Sequence, residues 1–104
     1  MSTPAISAEC EMRIELLFSV DEQELVRSLL LDECGNNLPG LETADAEAMD
    51  RFRFAVLKLS EGELQKLNEA LHLARADWRD LLMAAGFGES LTAHQAWRPR
   101  KKHG

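Results

Sequence analysis

The chain has 104 residues, a net charge of −6 and 45% hydrophobic residues, which is the size and balance of one folded domain and excludes a chain that is disordered throughout. It contains seventeen leucines and thirteen alanines, only eight valine, isoleucine and threonine residues together, and no tyrosine. This composition favours helices and leaves little material for a sheet. The sequence therefore predicts an all-α fold, a compact bundle of four to five helices in residues 1–97 followed by a disordered basic tail in residues 98–104.

The N-terminal residues do not combine a basic segment with an apolar run, as a signal peptide would. No stretch approaches the roughly 20 apolar residues that a membrane span needs. Cys10 and Cys34 are the only cysteines, and we expect both to be free thiols in a reducing compartment. These features predict a cytoplasmic protein that does not contact a membrane.

The first element, residues 8–18, is ambiguous between helix and strand. Ile14 and Leu17 fall at helical spacing, whereas Met12, Ile14 and Leu16 alternate with charged residues as they would in a strand. The length of the segment and the helical character of the rest of the chain favour a helix.

Two helices are predicted next. Ser19 is followed three residues later by Glu22, which is the pattern of a capping box at a helix start. After a loop at residues 35–40, Thr43 is placed to cap a third helix. The third helix carries apolar residues at helical spacing: Ala48, Met49, Phe52, Ala55, Val56 and Leu59.

The longest predicted helix covers residues 61–85 and is expected to be the spine of the bundle. Ser60 and Glu63 form a second capping-box pattern at its start, and apolar residues then recur with alternating spacings of three and four. A short final helix is predicted from about Glu89 to Trp97, where Pro99 stops it.

Residues that could carry catalysis or bind metal are few and scattered. The histidines are His72, His94 and His103. Glu69 and His72 form one Glu-x-x-His motif. A carboxylate-bridged di-iron bundle needs two such motifs and two further glutamates. A Cys34–histidine pair could assemble in space, but any chain with both residue types offers such a pair. The sequence therefore predicts no catalytic residue, no metal site and no cofactor.

Four residues are the predicted partner-binding positions: Trp78, Arg79, Asp80 and Trp97. Trp78 fits the apolar stripe and is expected to be a buried anchor, but with Arg79 and Asp80 it also makes a recognition patch, because tryptophan and arginine are enriched at binding hot spots. Trp97 is expected either to hold the last helix against the bundle or to lie in an interface.

The basic residues near the C-terminus are Arg98, Arg100, Lys101 and Lys102, and these four positive charges leave −10 for the rest of the chain. Basic groups beside Trp97 are typical of single-stranded nucleic-acid binding, although the acidic body would repel nucleic acid. A solvated tail is the simpler interpretation.

Four stretches of the sequence carry a family resemblance: ECGNNLP at residues 33–39, RFAVLKLSEG at residues 53–62, DWRDLLMAAGF at residues 77–87 and AHQAW at residues 93–97. Together they resemble a group of small bacterial proteins of about this length without an assigned activity. The resemblance covers most of residues 22–97. It implies a bacterial, cytosolic origin and supplies no catalytic residues.

The function predicted from these features is that of a small helical protein-interaction module, such as an adaptor, regulator or accessory subunit. Its partner would be another protein or a second copy of the chain, since residues 29–31 and residues 82–85 are apolar on more than one side of their helices. Nucleic-acid binding through the tail is the alternative. An enzyme whose site is assembled from distant residues is the third hypothesis.

Overall fold

The computed structural model describes residues 3–102, in which there are six helices and no strand. The helices are α1 (Ala8–Leu17), α2 (Val20–Glu33), α3 (Ala46–Ser60), α4 (Leu64–Ala76), α5 (Trp78–Ala85) and α6 (Ala93–Ala96). The all-α prediction is confirmed, although the described residues form six helices and not four or five. The Cα radius of gyration, 12.3 Å, is that of a compact chain of this length. None of these helices is both long enough and apolar enough to cross a membrane.

The first element, which the sequence left ambiguous between helix and strand, is helix α1. The Ser7 hydroxyl caps it by accepting a hydrogen bond from the Cys10 amide at 3.1 Å. Cys10, Ile14 and Leu17 are buried on its inner face. Ser19 lies at the start of α2 as predicted, but its hydroxyl contacts the Glu22 carboxylate at 3.3 Å and caps no amide of the helix.

Helix α3 is the central element of the fold. It starts at Asp45, whose side chain accepts from the Ala48 amide at 2.9 Å, and not at Thr43. It contacts α1, α4, α5 and α6. Its buried apolar residues are Met49, Phe52, Phe54, Ala55, Val56 and Leu57. The spine of the molecule is therefore α3, and the prediction that residues 61–85 would play this part is wrong.

The segment predicted as one long helix is two helices, α4 and α5. Ser60 closes α3, since its hydroxyl donates to the Leu57 carbonyl at 2.6 Å, and a left-handed turn at Glu61 and Gly62 follows. Asp77 interrupts the second half: its backbone is extended, and its carboxylate accepts from the Arg79 amide at 3.0 Å, which caps α5. An aspartate that satisfies a free amide makes this break favourable, and the apolar spacing continues across it.

The C-terminal segment was predicted to belong to a disordered tail. Residues 98–102 contain no helix or strand, and Arg98 and Lys102 contact the body. The Lys102 amide donates to the Leu16 carbonyl at 2.7 Å, and its ammonium donates to the Glu61 carbonyl at 2.6 Å. Carbonyls at helix ends lack helical partners, so a lysine is favourable there. Residues 103 and 104 lie outside the described residues.

Candidate functional site

Three of the predicted partner-binding residues lie together at the start of α5. Trp78 is half-buried, and its ring meets that of Phe52 edge-on with the centroids 5.7 Å apart. The Arg79 guanidinium lies 5.1 Å from the centroid of the same indole, and Asp80 is exposed. Trp78 is thus an anchor that keeps part of its ring accessible.

The loop before α3 fixes the indole of Trp78 from the other side. Gly40 has a φ of 86°, and a Cβ atom there would lie 2.4 Å from the Trp78 Nε1 atom. Only a glycine combines this left-handed backbone with so close an approach.

Trp97 belongs to a different aromatic group. Its ring centroid lies 6.5 Å from that of Phe54 and 6.3 Å from that of Phe87. Its carbonyl accepts two hydrogen bonds from Arg13, at 3.1 and 2.8 Å. Trp97 therefore holds the end of α6 against the bundle, and it is not part of the patch formed by residues 78–80.

Arg13 is a central residue that was not among the residues predicted from the sequence. Its side chain is buried, it donates to the Glu9 carbonyl at 2.8 Å and the Gln95 carbonyl at 3.3 Å, and its guanidinium lies 4.0 Å from the Phe54 ring centroid. Its spacing from Cys10 places it on the buried face of α1, a signal that could have identified it.

A cavity of about 390 Å³ opens where α1, α3 and α6 meet. We call it the acidic cleft. Its lining residues are Glu9, Arg13, Ala46, Glu47, Asp50, Phe54, His94 and Gln95.

The carboxylates of the acidic cleft differ in their partners. Glu9 pairs with Arg13 at 3.0 Å and with Arg98 at 3.3 Å, and the hydrogen bond from Arg13 is the main cause of its lowered pKa. Asp50 accepts from the Ser7 hydroxyl at 2.9 Å, and burial raises its pKa.

Glu47 is held more loosely than the other two carboxylates, by the Gln95 amide at 3.4 Å. The ion pairs found within residues 3–102 include neither Glu47 nor Asp50. The cleft therefore presents two carboxylates whose charge no lysine or arginine in that part of the chain offsets by direct contact.

His94 forms the inner wall of the acidic cleft. It is buried, with ring centroids 5.3 Å from Phe54 and 6.2 Å from Phe87. Burial lowers its pKa, so its ring is neutral at pH 7. Its Nδ1 atom is enclosed and has no hydrogen-bond partner among the described residues. In that same part of the chain, no three histidine, cysteine, aspartate or glutamate side chains are grouped as metal ligands.

A second cavity, of about 350 Å³, also lies beside the first half of α3, and Glu47 lines both cavities. We call it the Leu91 groove. Its lining residues are Asp45, Glu47, Ala48, Arg51, Phe52, Leu91 and Thr92. Leu91 is 76% exposed at this groove, and Arg51 is fixed by donating to the Phe87 carbonyl at 2.6 Å. Because Trp78 packs on Phe52, the groove adjoins the patch at residues 78–80.

The thiols and the basic segment line neither cavity, although Arg98 pairs with Glu9 of the acidic cleft. Cys10 and Cys34 are buried, and burial raises the pKa of each to about 12. All four basic residues considered for nucleic-acid binding are exposed, and two of them, Arg98 and Lys102, contact the body.

The structure thus offers two recesses beside the first half of α3, one acidic and one largely apolar. Neither recess could be predicted from the sequence, because each is made from distant segments. The Leu91 groove combines α3 with residues 91 and 92, and the acidic cleft combines α3 with α1 and α6. Comparisons with protein-family models, with curated proteins and with solved structures found no match for this chain.

Proposed function

We propose that this chain is a small helical protein-interaction module, an adaptor, regulator or accessory subunit, and not an enzyme. It binds a partner protein through the Leu91 groove and the adjoining patch at residues 78–80. The observation that carries the proposal is Leu91, a large aliphatic side chain 76% exposed at a cavity of about 350 Å³. Contiguous apolar surface beside a concavity is typical of an interface, and here Leu91 and Phe52 line the groove while Phe52 packs on the half-buried Trp78.

The patch beside the groove supports this proposal. Trp78 is held by Phe52 on one side and by Gly40 on the other, so it would lose little side-chain freedom when a partner covers it. Rigid aromatic groups of this kind favour affinity because the ordering cost of binding is small. Arg79, over the indole, adds a second residue type that is enriched at hot spots.

Charge indicates the chemistry of the partner. The chain outside the four C-terminal basic residues carries −10. Its partner would present an apolar side chain to the groove and basic residues around it, since complementary charge steers association.

The alternatives have less support. The cysteines are poor nucleophiles because burial raises the pKa of Cys10 and Cys34 to about 12 and only the thiolate reacts. For nucleic acid, Arg98 and Lys102 already contact the body, which leaves only Arg100 and Lys101 as exposed cations without such contacts in the described segment.

The test is a pull-down of the tagged full chain from a nuclease-treated bacterial lysate, read by mass spectrometry. Leu91→Asp would place a charge in the groove and should abolish recovery of the partner. Val20→Asp is the matched control, since Val20 is 83% exposed on α2 and should leave recovery unchanged. Arg79→Ala should reduce recovery.

Equal recovery by the wild type and the Leu91→Asp variant would contradict the proposal. Light scattering of the purified chain tests whether a second copy of this chain occupies the groove. A dimer that Leu91→Asp dissociates would identify a second copy of this chain, and not a different protein, as the partner. Material recovered only when nuclease is omitted would favour the basic segment.

A further inference from the structure

We infer that Met83 is a reversible oxidation site that regulates the proposed interface. A hydroperoxide converts its thioether to a sulfoxide, and the partner is then bound less tightly. The effect on binding rests on the proposed function, whereas the oxidation of Met83 does not. The observation that carries the inference is exposure: Met83 is 71% exposed on α5, although methionine is among the residue types most often enclosed in a core.

The other two methionines of residues 3–102 are protected, each in a different way. Met49 is 0% exposed, within α3. Met12 is half-buried, and its sulfur accepts from the Arg98 guanidinium at 3.6 Å. Since the oxidant must reach the sulfur, the rate of oxidation follows exposure. Met83 should therefore be oxidised first among these three residues.

The surroundings of Met83 fix its stem and leave open space beside it. A Cβ atom on Gly88 would lie 3.1 Å from the Met83 Cγ atom, so this glycine packs closely against the stem of the side chain. A cavity of about 350 Å³ opens at the same place, lined by Met83, Gly86, Gly88 and Glu89. Met83 therefore borders an open recess that a molecule as small as a hydroperoxide can enter.

Met83 belongs to the same helix face as part of the patch at residues 78–80. It lies four residues after Arg79, so the two side chains are neighbours on α5, and both are exposed. Gly86, Gly88 and Glu89 of its recess belong to the segment that leads from α5 to Leu91. An exposed methionine suits a binding surface, because its flexible, apolar thioether adapts to a partner.

The oxidation is a two-electron reaction at sulfur. The sulfur lone pair attacks one oxygen of the hydroperoxide, an S–O bond forms as the O–O bond breaks, and the proton of the transferred oxygen passes to the leaving oxygen, so hydrogen peroxide yields water. A dithiol, used by a sulfoxide reductase, returns the two electrons and releases the oxygen as water. The sulfoxide is polar, and covering it without a hydrogen-bond donor opposes binding.

The first test is oxidation of the purified full chain with hydrogen peroxide, followed by peptide mapping with mass spectrometry. We expect Met83 to gain one oxygen at least about tenfold faster than Met49, and also faster than Met12. Guanidinium chloride should bring the three rates together. A methionine sulfoxide reductase with dithiothreitol should remove the oxygen from Met83. Native Met83 that reacts no faster than Met49, or a sulfoxide that the reductase does not reverse, would overturn the assignment of the site.

The second test measures recovery of the partner from the nuclease-treated lysate after the peroxide has been removed. Oxidation should lower recovery by the wild type at least about fivefold. Met83→Leu keeps a large apolar side chain without sulfur, so oxidation should leave its recovery unchanged. Met12→Leu is the matched control and should lose recovery on oxidation as the wild type does. An unchanged circular dichroism spectrum of the oxidised chain would exclude unfolding as the cause.

The two tests separate this inference from the proposed function. Recovery that oxidation lowers equally in the wild type and in Met83→Leu would overturn regulation through Met83, and so would recovery by the wild type that oxidation leaves unchanged. No recovery even by the unoxidised wild type would contradict the proposed function and the regulation with it. The peptide map alone would then decide whether Met83 is the oxidation site.

Discussion

Two buried arginines show how this small core accommodates charge. Arg13 donates to three backbone carbonyls, and Arg53 donates to the carbonyls of Cys34 and Ala5, each at 3.1 Å. Burial lowers the pKa of Arg53, and its second terminal nitrogen has no partner in residues 3–102. Both side chains tie chain segments to the core through backbone oxygens, which a side-chain pattern does not display.

Replacing Arg13 with lysine tests this role. One ammonium cannot reach the Glu9, Gln95 and Trp97 carbonyls together as the planar guanidinium does, so Arg13→Lys should lower the free energy of unfolding by about 2–4 kcal/mol. Urea unfolding followed by circular dichroism measures it. Arg79→Lys, at an exposed position, should change it by no more than about 0.5 kcal/mol. Equal stability of the two variants would contradict the role of Arg13.

The two cysteines should be inert in the folded chain. Burial raises the pKa of Cys10 and of Cys34 to about 12, so almost no thiolate is present at pH 8. With Ellman's reagent at pH 8, we expect no fast-reacting thiol in the native protein and two in guanidinium chloride. A native thiol that reacts at the unfolded rate would show that one cysteine is accessible.

His94 should make stability depend on pH in a defined direction. Burial lowers its pKa below 6.5 in the folded chain, so the unfolded chain takes up the proton first as the pH falls. The contribution of His94 is complete above about pH 6.5 and is lost as the pH falls from there through the lower, folded-state pKa.

Urea unfolding at pH 7.5 and pH 5.5 measures this effect. The wild type should lose more stability between these values than His94→Gln, because only the wild type has the buried imidazole that must take up a proton. His72→Gln, at an exposed position, should behave as the wild type. An identical pH response of the wild type and His94→Gln would refute this assignment.

At the scale of elements, the sequence predicted the helical class and the start of α2, but not where the third and fourth predicted helices begin. Ser60 and Glu63 have capping-box spacing, yet Ser60 ends α3 because its hydroxyl bonds back to Leu57. The same residue types serve the start of one helix and the end of another. The break between α4 and α5 at Asp77 could not be predicted, because the apolar spacing continues through it.

The path of residues 98–102 was also beyond the sequence pattern. Their main ties to the body are the amide and ammonium of Lys102 on the carbonyls of Leu16 and Glu61. Backbone carbonyls are present at every residue, so composition does not show which of them is free to accept. A basic, proline-containing end therefore predicts disorder and gives no sign of the contacts that Arg98 and Lys102 make.

The loop before α3 gives a prediction at this scale. A methyl group at Gly40 would lie 2.4 Å from the Trp78 Nε1 atom, on a backbone with a φ of 86°. Gly40→Ala should therefore destabilise the fold by about 1–3 kcal/mol and change the fluorescence of Trp78, measured in a Trp97→Phe background. Gly88→Ala, where φ is not in the left-handed region, should have a smaller effect. Unchanged fluorescence in Gly40→Ala would show that the loop does not hold the indole.

At the scale of the molecule, the first half of α3 lines both recesses, and Glu47 belongs to both. The sequence identified Trp78 and Arg79 as neighbours because they are adjacent in the chain. It did not reveal the Leu91 groove or the acidic cleft, because Asp50 and His94 are brought together only by the packing of α6 on α3. Surfaces made from distant segments leave no periodic signal.

Binding through the Leu91 groove is best tested by comparing partner recovery between Leu91→Asp and Val20→Asp. Both variants place a carboxylate at an exposed aliphatic position, 76% exposed at Leu91 and 83% at Val20, so a general effect of added charge would appear in both. We expect Val20→Asp to retain the partner and Leu91→Asp to lose it. Equal recovery by the two variants would contradict binding through the Leu91 groove.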